Sequence, residues 1–126
     1  MHEPIFTRFA PTPVGPYSQA VLANGVLYGA GQLGLDPVSG TLVSQDTAGQ
    51  AEQVLRNIEA VLLAAGAAMR DVVRVTVYLV DLSEFAAVGA VYARFFPERP
   101  PARTTVQVAA LPLGGRVEMD FTAVLP

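Results

Sequence analysis

The sequence predicts a two-layer α+β domain in which two helices pack on one face of a mixed β-sheet. The predicted order of elements is strand, strand, helix, strand, helix, strand, strand. Apolar residues repeat every second position in the strand segments and at helical spacing in the two helix segments. The strand from Val72 to Val80 is predicted to have an apolar face of Val73, Val75, Val77 and Leu79 and a second face of Arg74, Thr76 and Tyr78. A strand covered by helices on both faces would be apolar throughout.

Length and charge limit the classes of protein that this chain can represent. With 126 residues and 52% hydrophobic content, the chain can form one compact core, so residues 1–126 are predicted to be a single domain. Eleven acidic residues against eight basic ones give a net charge of −3, and all eight basic residues are Arg. This balance argues against a nucleic-acid binder, which needs a basic surface.

The composition also excludes several kinds of catalysis. The chain has no Cys, so disulfides, thiolate nucleophiles and zinc-thiolate sites are excluded. It has no Lys for Schiff-base chemistry, and its one His is His2, in a segment expected to fray. We therefore expect no metal site. The N-terminus lacks signal-peptide features, and the apolar run 61–69 is too short to span a bilayer, so a cytoplasmic protein is expected.

The first two strands are predicted to form a hairpin. Tyr17–Ala23 and Val26–Gln32 flank Asn24-Gly25, a pair that tolerates the positive φ of a tight turn. The proline-rich segment 11–16 before them is expected to be a fixed loop that delivers Tyr17. Gly29 and Gly31 interrupt the second strand, which indicates either a bulge or a backbone that faces a ligand. Residues 36–40 are expected to form a turn before a short extended piece at 41–43.

Two amphipathic helices are predicted. The first runs from Thr47 to Ala65, with a capping box formed by Thr47 and Gln50 and an end at Gly66. The second runs from about Leu82 to Phe96, with Asp81 or Ser83 as its cap and Pro97 after it. Its apolar stripe, which is typical of core, consists of Phe85, Val88, Tyr92, Phe95 and Phe96. Gly89 in the helix interior indicates close packing or room for another group.

The segment 100–121 is predicted to form two strands around a Pro/Gly loop at 111–115. Strict alternation assigns its residues to two faces of one sheet. The apolar face is expected to hold Val106, Val108, Val117, Met119 and Phe121, and the polar face Arg103, Thr105, Gln107, Arg116, Glu118 and Asp120. A guanidinium and a carboxylate are thus predicted on the same face. Because this face also carries Arg74, Thr76 and Tyr78 of the preceding strand among apolar residues, a symmetric subunit interface is expected to cover it.

Several motifs in this order resemble the Rid family (reactive intermediate deaminases, also called YjgF). They are Gly15-Pro16-Tyr17-Ser18-Gln19-Ala20, Gly31-Gln32, Asp36-Pro37, Gly40, Pro101-Ala102-Arg103-Thr104-Thr105-Val106, Leu111-Pro112 and Val117-Glu118-Met119. The resemblance covers essentially the whole chain. It implies a chorismate-mutase-like fold, a homotrimer with ligand sites between subunits, and hydrolysis of enamines and imines such as 2-aminoacrylate and 2-iminopropanoate to 2-oxo acids and ammonia. It implies that no cofactor is needed.

The resemblance also assigns roles to residues. It implies that Arg103 holds the substrate carboxylate and that Glu118 positions or protonates the attacking water, roles that suit a planar guanidinium and a carboxyl group. It places Tyr17, Gly31, Phe85 and Thr105 in the pocket. The chain departs from the family pattern at three pocket positions. It has Ala30 where serine is common, Gly89 where asparagine is common, and Thr105 where many members have cysteine.

Alternatives remain at this point. From the residues alone, Arg103 and Glu118 could instead form a cross-strand ion pair at an interface, and Tyr17 could be a packed loop anchor. Three functions are considered. The first is an imine and enamine deaminase. The second is a ligand-binding or regulatory trimer with little activity, which Ala30 and Gly89 favour. The third is an RNA-directed nuclease or inhibitor, which the net charge and the lack of Lys disfavour.

Overall fold

The computed structural model describes residues 2–126 and confirms the predicted α+β class. Its strands are β1 (Glu3–Ile5), β2 (Ala20–Ala23), β3 (Val26–Leu33), β4 (Val72–Leu79), β5 (Ala102–Gln107) and β6 (Val117–Val124). Its helices are α1 (Thr47–Ala64) and α2 (Phe85–Phe95), and three short 3-10 turns lie at Met69–Asp71, Leu82–Glu84 and Pro112–Gly114. The six strands form one sheet in the order β1-β2-β3-β6-β4-β5.

The sheet is mixed, as the sequence predicts. The pair β4 and β5 is parallel, and every other neighbouring pair is antiparallel. The hairpin between β2 and β3 is confirmed, with Asn24 at φ 52° and Gly25 at φ 76°. The pairing of β3 with β6 shifts register between Gly29 and Gln32, which confirms the bulge at the glycines. Strand β1 was not predicted. It pairs with β2, so the segment expected to fray begins the sheet.

The core lies between the sheet and the two helices. The sheet contributes Leu27, Val75, Val77, Leu79, Val117, Met119 and Phe121, and the helices contribute Val54, Leu55, Ile58, Leu62, Val88 and Tyr92, all of them buried. The first helix also packs against the second. The opposite face of the sheet has no helix on it in residues 2–126, so it remains open in a single chain.

The start of α1 differs from the prediction. Its N-cap is Asp46, whose side chain accepts a hydrogen bond from the Gly49 amide, so the capping box at Thr47 and Gln50 is wrong. Those two side chains instead bind the segment before β6. Thr47 Oγ1 accepts a bond from Arg116 Nε, and Gln50 Oε1 accepts one from the Arg116 amide. The polar side chains therefore tie the helix to the sheet rather than cap it.

The other predicted boundaries hold with small shifts. Gly66, at φ 83°, follows the end of α1 as predicted. The second helical segment begins as a 3-10 turn at Leu82–Glu84, and the Asp81 side chain caps it by accepting a bond from the Ser83 amide. The turn at 36–40 is confirmed, since the Asp36 carboxylate accepts bonds from the amides of Val38 and Ser39.

The predicted sharing of faces by the last two strands is wrong. Strands β5 and β6 are not neighbours, because β4 lies between them. Arg103 sits beside Val75 in the parallel pair β4–β5, whereas Glu118 sits beside Tyr78 in the antiparallel pair β4–β6. Residues directly opposite on neighbouring strands share a face, and successive residues on one strand alternate. Arg103 therefore lies on the helix-covered face, and Glu118 lies on the open face.

The same register corrects further assignments. Thr105 and Gln107 accompany Arg103 on the helix-covered face, while Val106 lies beside Tyr78 on the open face and is 39% exposed. Val73, expected in the core, is also exposed, because the register shifts between Val72 and Arg74 where β4 meets β6. A one-residue offset moves every side chain of a strand to the other face. The residues of β5 alternate as predicted, but the two faces are exchanged.

Within residues 2–126, no helix combines the length and the apolar character that crossing a membrane requires.

Candidate active site

Arg103 lies at the edge of the sheet, where β5 faces helix α2. Its Cζ atom is 5.2 Å from the centroid of the Phe85 ring and 4.9 Å from that of Tyr92. Both distances are within the range of cation–π attraction, so two aromatic rings hold the guanidinium. No carboxylate in residues 2–126 lies within ion-pair distance of Arg103. The guanidinium is thus ordered by apolar neighbours and available to an incoming anion.

A cleft of about 430 Å³ opens beside this guanidinium. Its lining residues are Gly89, Tyr92, Ala93, Phe96, Pro100, Pro101 and Arg103. We call it the Arg103 cleft. Thr105 lies two residues along β5 on the same face as Arg103 and is half-buried. Four of the predicted site residues, Phe85, Gly89, Arg103 and Thr105, therefore belong to this side of the sheet.

Tyr92 is a member of this site that the sequence analysis assigned to the core. It is indeed buried, at 5% exposure, but its ring also supports Arg103. Phe85, Gly89 and Tyr92 follow the spacing i, i+4, i+7, which places them on one face of α2. That spacing, combined with an arginine on the adjacent strand, is the signal that could have identified Tyr92.

A second cleft, of about 340 Å³, lies beside Glu118. Its lining residues are Pro11, Thr12, Val14, Tyr17, Gln19, Ala30, Gly31, Gln32, Leu33, Leu35, Pro112, Leu113 and Glu118. We call it the Glu118 cleft. It contains the other four predicted site residues, namely Tyr17, Ala30, Gly31 and Glu118. Val14, Pro112 and Leu113 were not predicted, since loop residues without charge carry no chemical signal in a sequence.

Gln19 fixes the loop that forms one wall of the Glu118 cleft. Its buried side-chain amide donates to the carbonyls of Thr7 and Pro11, at 3.0 and 2.9 Å, and its oxygen accepts a bond from the Thr7 amide at 2.7 Å. These three bonds replace the regular pairing that a proline-rich segment cannot make. Tyr17, which follows this loop, is 51% exposed, so it is not a packed anchor within one chain.

The Glu118 carboxyl group is half-buried on the open face. Burial raises the pKa of this carboxyl above its ordinary value, and the nearby Asp120 charge raises the pKa further. Asp120 itself accepts a hydrogen bond from the Tyr78 hydroxyl at 2.9 Å. Among residues 2–126, no side-chain hydrogen bond or ion pair engages the Glu118 carboxyl group. A carboxyl group with a raised pKa and no internal partner is suited to proton transfer.

Gly31 allows the Glu118 carboxylate to lie against the backbone of β3. A Cβ atom at position 31 would be 2.8 Å from Glu118 Oε2 and 2.9 Å from its Cδ. Of the two interpretations of the strand glycines, the backbone approach therefore applies to Gly31. Gly29 has a different cause, because a Cβ atom there would overlap the Phe121 ring.

The structure does not bring Arg103 and Glu118 together in one chain. They lie on opposite faces of the sheet, and the ion pairs in residues 2–126 are Arg56–Glu52, Arg94–Glu52 and Arg116–Glu84. The alternative of a cross-strand ion pair between Arg103 and Glu118 is therefore wrong within the chain. In the described part of the chain, no three His, Cys, Asp or Glu side chains are grouped so that they could hold a metal ion.

Known proteins share the sequence and the fold of this chain. The family model described as "Endoribonuclease L-PSP" matches residues 7–125. The 2-iminobutanoate/2-iminopropanoate deaminase of Bos taurus is 50% identical over 95% of this chain and 88% of its own. The crystal structure of RidA from the Antarctic bacterium Psychrobacter sp. superimposes with a TM-score of 0.95 at 46% identity, over 98% of this chain and 99% of that one.

A third relative has been solved with a small ligand. Escherichia coli TdcF with bound serine has a TM-score of 0.94 and is 35% identical, over 98% of this chain and 99% of that chain. Fold, motifs and relatives agree on one class of protein, the small α+β proteins with a mixed sheet and two helices. The chain belongs to the Rid family, also called the YjgF or RutC family.

Proposed function

We propose that this protein hydrolyses 2-imino acids and their enamine tautomers to 2-oxo acids and ammonia. The observation that carries the proposal is the pair of clefts, one holding a guanidinium without a carboxylate partner and the other a carboxyl group of raised pKa. The names of closely similar relatives over nearly the whole chain support the same activity.

The proposed chemistry needs only these two groups and water. Arg103 binds the substrate carboxylate through two parallel N–H donors, which orients the imine carbon. Glu118 holds a water molecule against that carbon and accepts one of its protons as the C–O bond forms. Returned to the nitrogen, that proton gives a carbinolamine. Glu118 then carries the proton of the new hydroxyl group to the nitrogen, so ammonia leaves as the C–N bond breaks and the C=O bond forms. Imine and water thus give 2-oxo acid and ammonia in balance, and no redox step requires a cofactor.

The proposed site lies between two subunits of a homotrimer. Because Arg103 and Glu118 lie on opposite faces of the sheet, one small ligand cannot contact both groups of the same chain. A ligand between two copies can contact the Arg103 cleft of one and the Glu118 cleft of the other. Closed cyclic symmetry repeats that contact and covers the open sheet face. The expected mass is about 40 kDa, three times the chain mass of 13.3 kDa.

The second candidate is a trimer that binds small carboxylates with little deaminase activity. Ala30 and Gly89 favour it, because they supply no side-chain hydrogen bonds at positions where serine and asparagine are common in the Rid family. We do not propose an RNA or membrane partner, because the chain has a net charge of −3 and no Lys. The cytoplasmic location expected from the sequence stays a prediction.

A direct assay tests the proposal. Freshly generated 2-iminopropanoate is mixed with the protein after exhaustive chelation, and ammonia release is followed against the spontaneous rate. Acceleration that is undiminished by chelation is the expected result, and it also tests the prediction that no metal takes part. Saturable binding of 2-oxo acids without acceleration would instead support the binding trimer.

A further inference from the structure

Gly89 leaves open space on the wall of the Arg103 cleft. It lies inside α2, between the two aromatic residues that contact Arg103, Phe85 and Tyr92, and on the same helix face. A Cβ atom built at position 89 would have no atom within 4 Å apart from its chain neighbours and the backbone of its own helix. Glycine is disfavoured relative to alanine in a helix interior, and no packing contact at this position requires it.

The open space lies beside the carboxylate-binding group and is mostly apolar. Apart from Arg103, the residues that line the cleft are aromatic, proline, alanine or glycine, namely Gly89, Tyr92, Ala93, Phe96, Pro100 and Pro101. The Phe85 ring contacts the other side of the guanidinium. A cleft of about 430 Å³ is larger than a single methyl group needs. A ligand whose carboxylate binds Arg103 can therefore extend an apolar side chain over position 89.

We infer that Gly89 makes this protein selective for 2-imino acids with large apolar side chains, such as isobutyl or benzyl, over those with a methyl group. The inference deepens the proposed function and rests on it for the reaction. Burial of each additional methylene group strengthens binding about fourfold. The isobutyl substrate 2-imino-4-methylpentanoate is therefore expected to exceed 2-iminopropanoate in kcat/KM by about tenfold or more.

The test compares the purified protein with two variants, Gly89→Leu and Ala87→Leu. Leucine at position 89 fills the open space, whereas Ala87 is exposed on the opposite side of α2, so the second variant adds the same volume away from the cleft. Each protein is assayed with the methyl and isobutyl imines. We expect Gly89→Leu to lose the preference for isobutyl by about tenfold or more, while Ala87→Leu retains it. Light scattering and thermal melting confirm that each variant keeps the mass and fold of the parent.

Binding of the corresponding 2-oxo acids separates this inference from the proposed function. In one outcome, no imine is hydrolysed, yet the isobutyl 2-oxo acid binds more tightly than 2-oxopropanoate and Gly89→Leu removes that difference. The deaminase proposal is then wrong, and the inferred selectivity is supported. If imines are hydrolysed but the methyl substrate is preferred, or Gly89→Leu leaves the ratio unchanged, the selectivity is overturned and deamination stands. Should Gly89→Leu fail to fold, Gly89→Asn in the same comparison decides the question.

Discussion

The position that a side chain at Gly31 would take lies 2.8 Å from Oε2 of Glu118. Glycine at this point lets the carboxylate pack against the β3 backbone, where the register shifts between Gly29 and Gln32. The bulge and the glycine together therefore set the position of the proposed general base. Strand irregularities of this kind often aim a side chain near an active site.

Replacement of Gly31 by Ala is expected to lower kcat by about 10²-fold, because an added methyl group must displace the Glu118 carboxylate by a substantial part of an ångström. Steady-state kinetics with 2-iminopropanoate measure the effect. Gly15→Ala is the matched control, since a Cβ atom there would make only ordinary contacts with the Tyr17 ring at 3.6 Å. Equal kcat values for Gly31→Ala and the parent would contradict the positioning role.

Replacement of Glu118 by Gln tests proton transfer. The amide keeps the shape but cannot accept a proton, so kcat is expected to fall by about 10²- to 10⁴-fold while affinity for 2-oxo acids is retained. The pH profile of kcat/KM of the parent should have an acidic limb above the ordinary glutamate pKa of about 4.3, because burial raises the pKa of Glu118. A variant that turns over imines at the parent rate would refute the role.

The same substitution has a consequence for stability. The pKa of Glu118 is raised in the folded state. Its contribution to the free energy of unfolding is therefore fully present only below the pKa of the unfolded chain, about 4.3, and is lost as pH rises through the pKa of the folded state. The Glu118→Gln variant should therefore melt at a higher temperature than the parent at pH 7. This advantage should disappear at pH 4, and a constant difference at both pH values would contradict the raised pKa.

The sequence predicted most of the fold because its local signals agree. The Asn24-Gly25 turn, the helical spacing of 47–65 and the stop at Gly66 each act over a few residues, so composition and period suffice. The strand order could not be read in this way. Placing β4 between β5 and β6 depends on parallel pairing between segments far apart in the chain, and the face of Arg103 depends on that register.

The residues of the candidate site could likewise be predicted only where a single residue carries a signal of its own. Charged and glycine residues such as Arg103, Glu118 and Gly31 were identified because their chemistry or backbone is unusual. Tyr92 was assigned to the core because its burial is real, and only the structure reveals that its ring also contacts Arg103. The position of Arg103 and Glu118 on opposite faces, which the sequence did not predict, is the strongest argument for a site between subunits.

Replacement of Tyr92 by Phe tests whether the Tyr92 hydroxyl contributes to stability, or whether only the face of the ring, which contacts Arg103, is needed. The Tyr92 hydroxyl is buried without a hydrogen-bond partner in residues 2–126, and burial raises the pKa of Tyr92 to about 12. An unpaired buried hydroxyl costs about 1–3 kcal/mol, so Tyr92→Phe should leave the free energy of unfolding unchanged or raise it. Urea denaturation measures this, with Tyr28→Phe, at an exposed position, as control. A loss above about 1 kcal/mol would indicate that the hydroxyl has a partner in the assembled protein.

Mixing two inactive variants tests the shared site. Arg103→Ala lacks the carboxylate-binding group and Glu118→Gln lacks the general base, so each homotrimer should be nearly inactive. Arg103→Lys should recover little, since an ammonium cannot bind a carboxylate through two parallel donors. If Arg103 of one subunit works with Glu118 of the next, every mixed trimer holds one complete site. Random exchange of equal amounts then restores about one quarter of the parent activity, by the symmetry of a closed ring.

The two variants are unfolded together and refolded at equal concentration, with each refolded alone as the control and light scattering to confirm the mass. If both groups acted within one chain, no mixture could contain a complete site, and activity at the level of the separate variants would overturn the proposal.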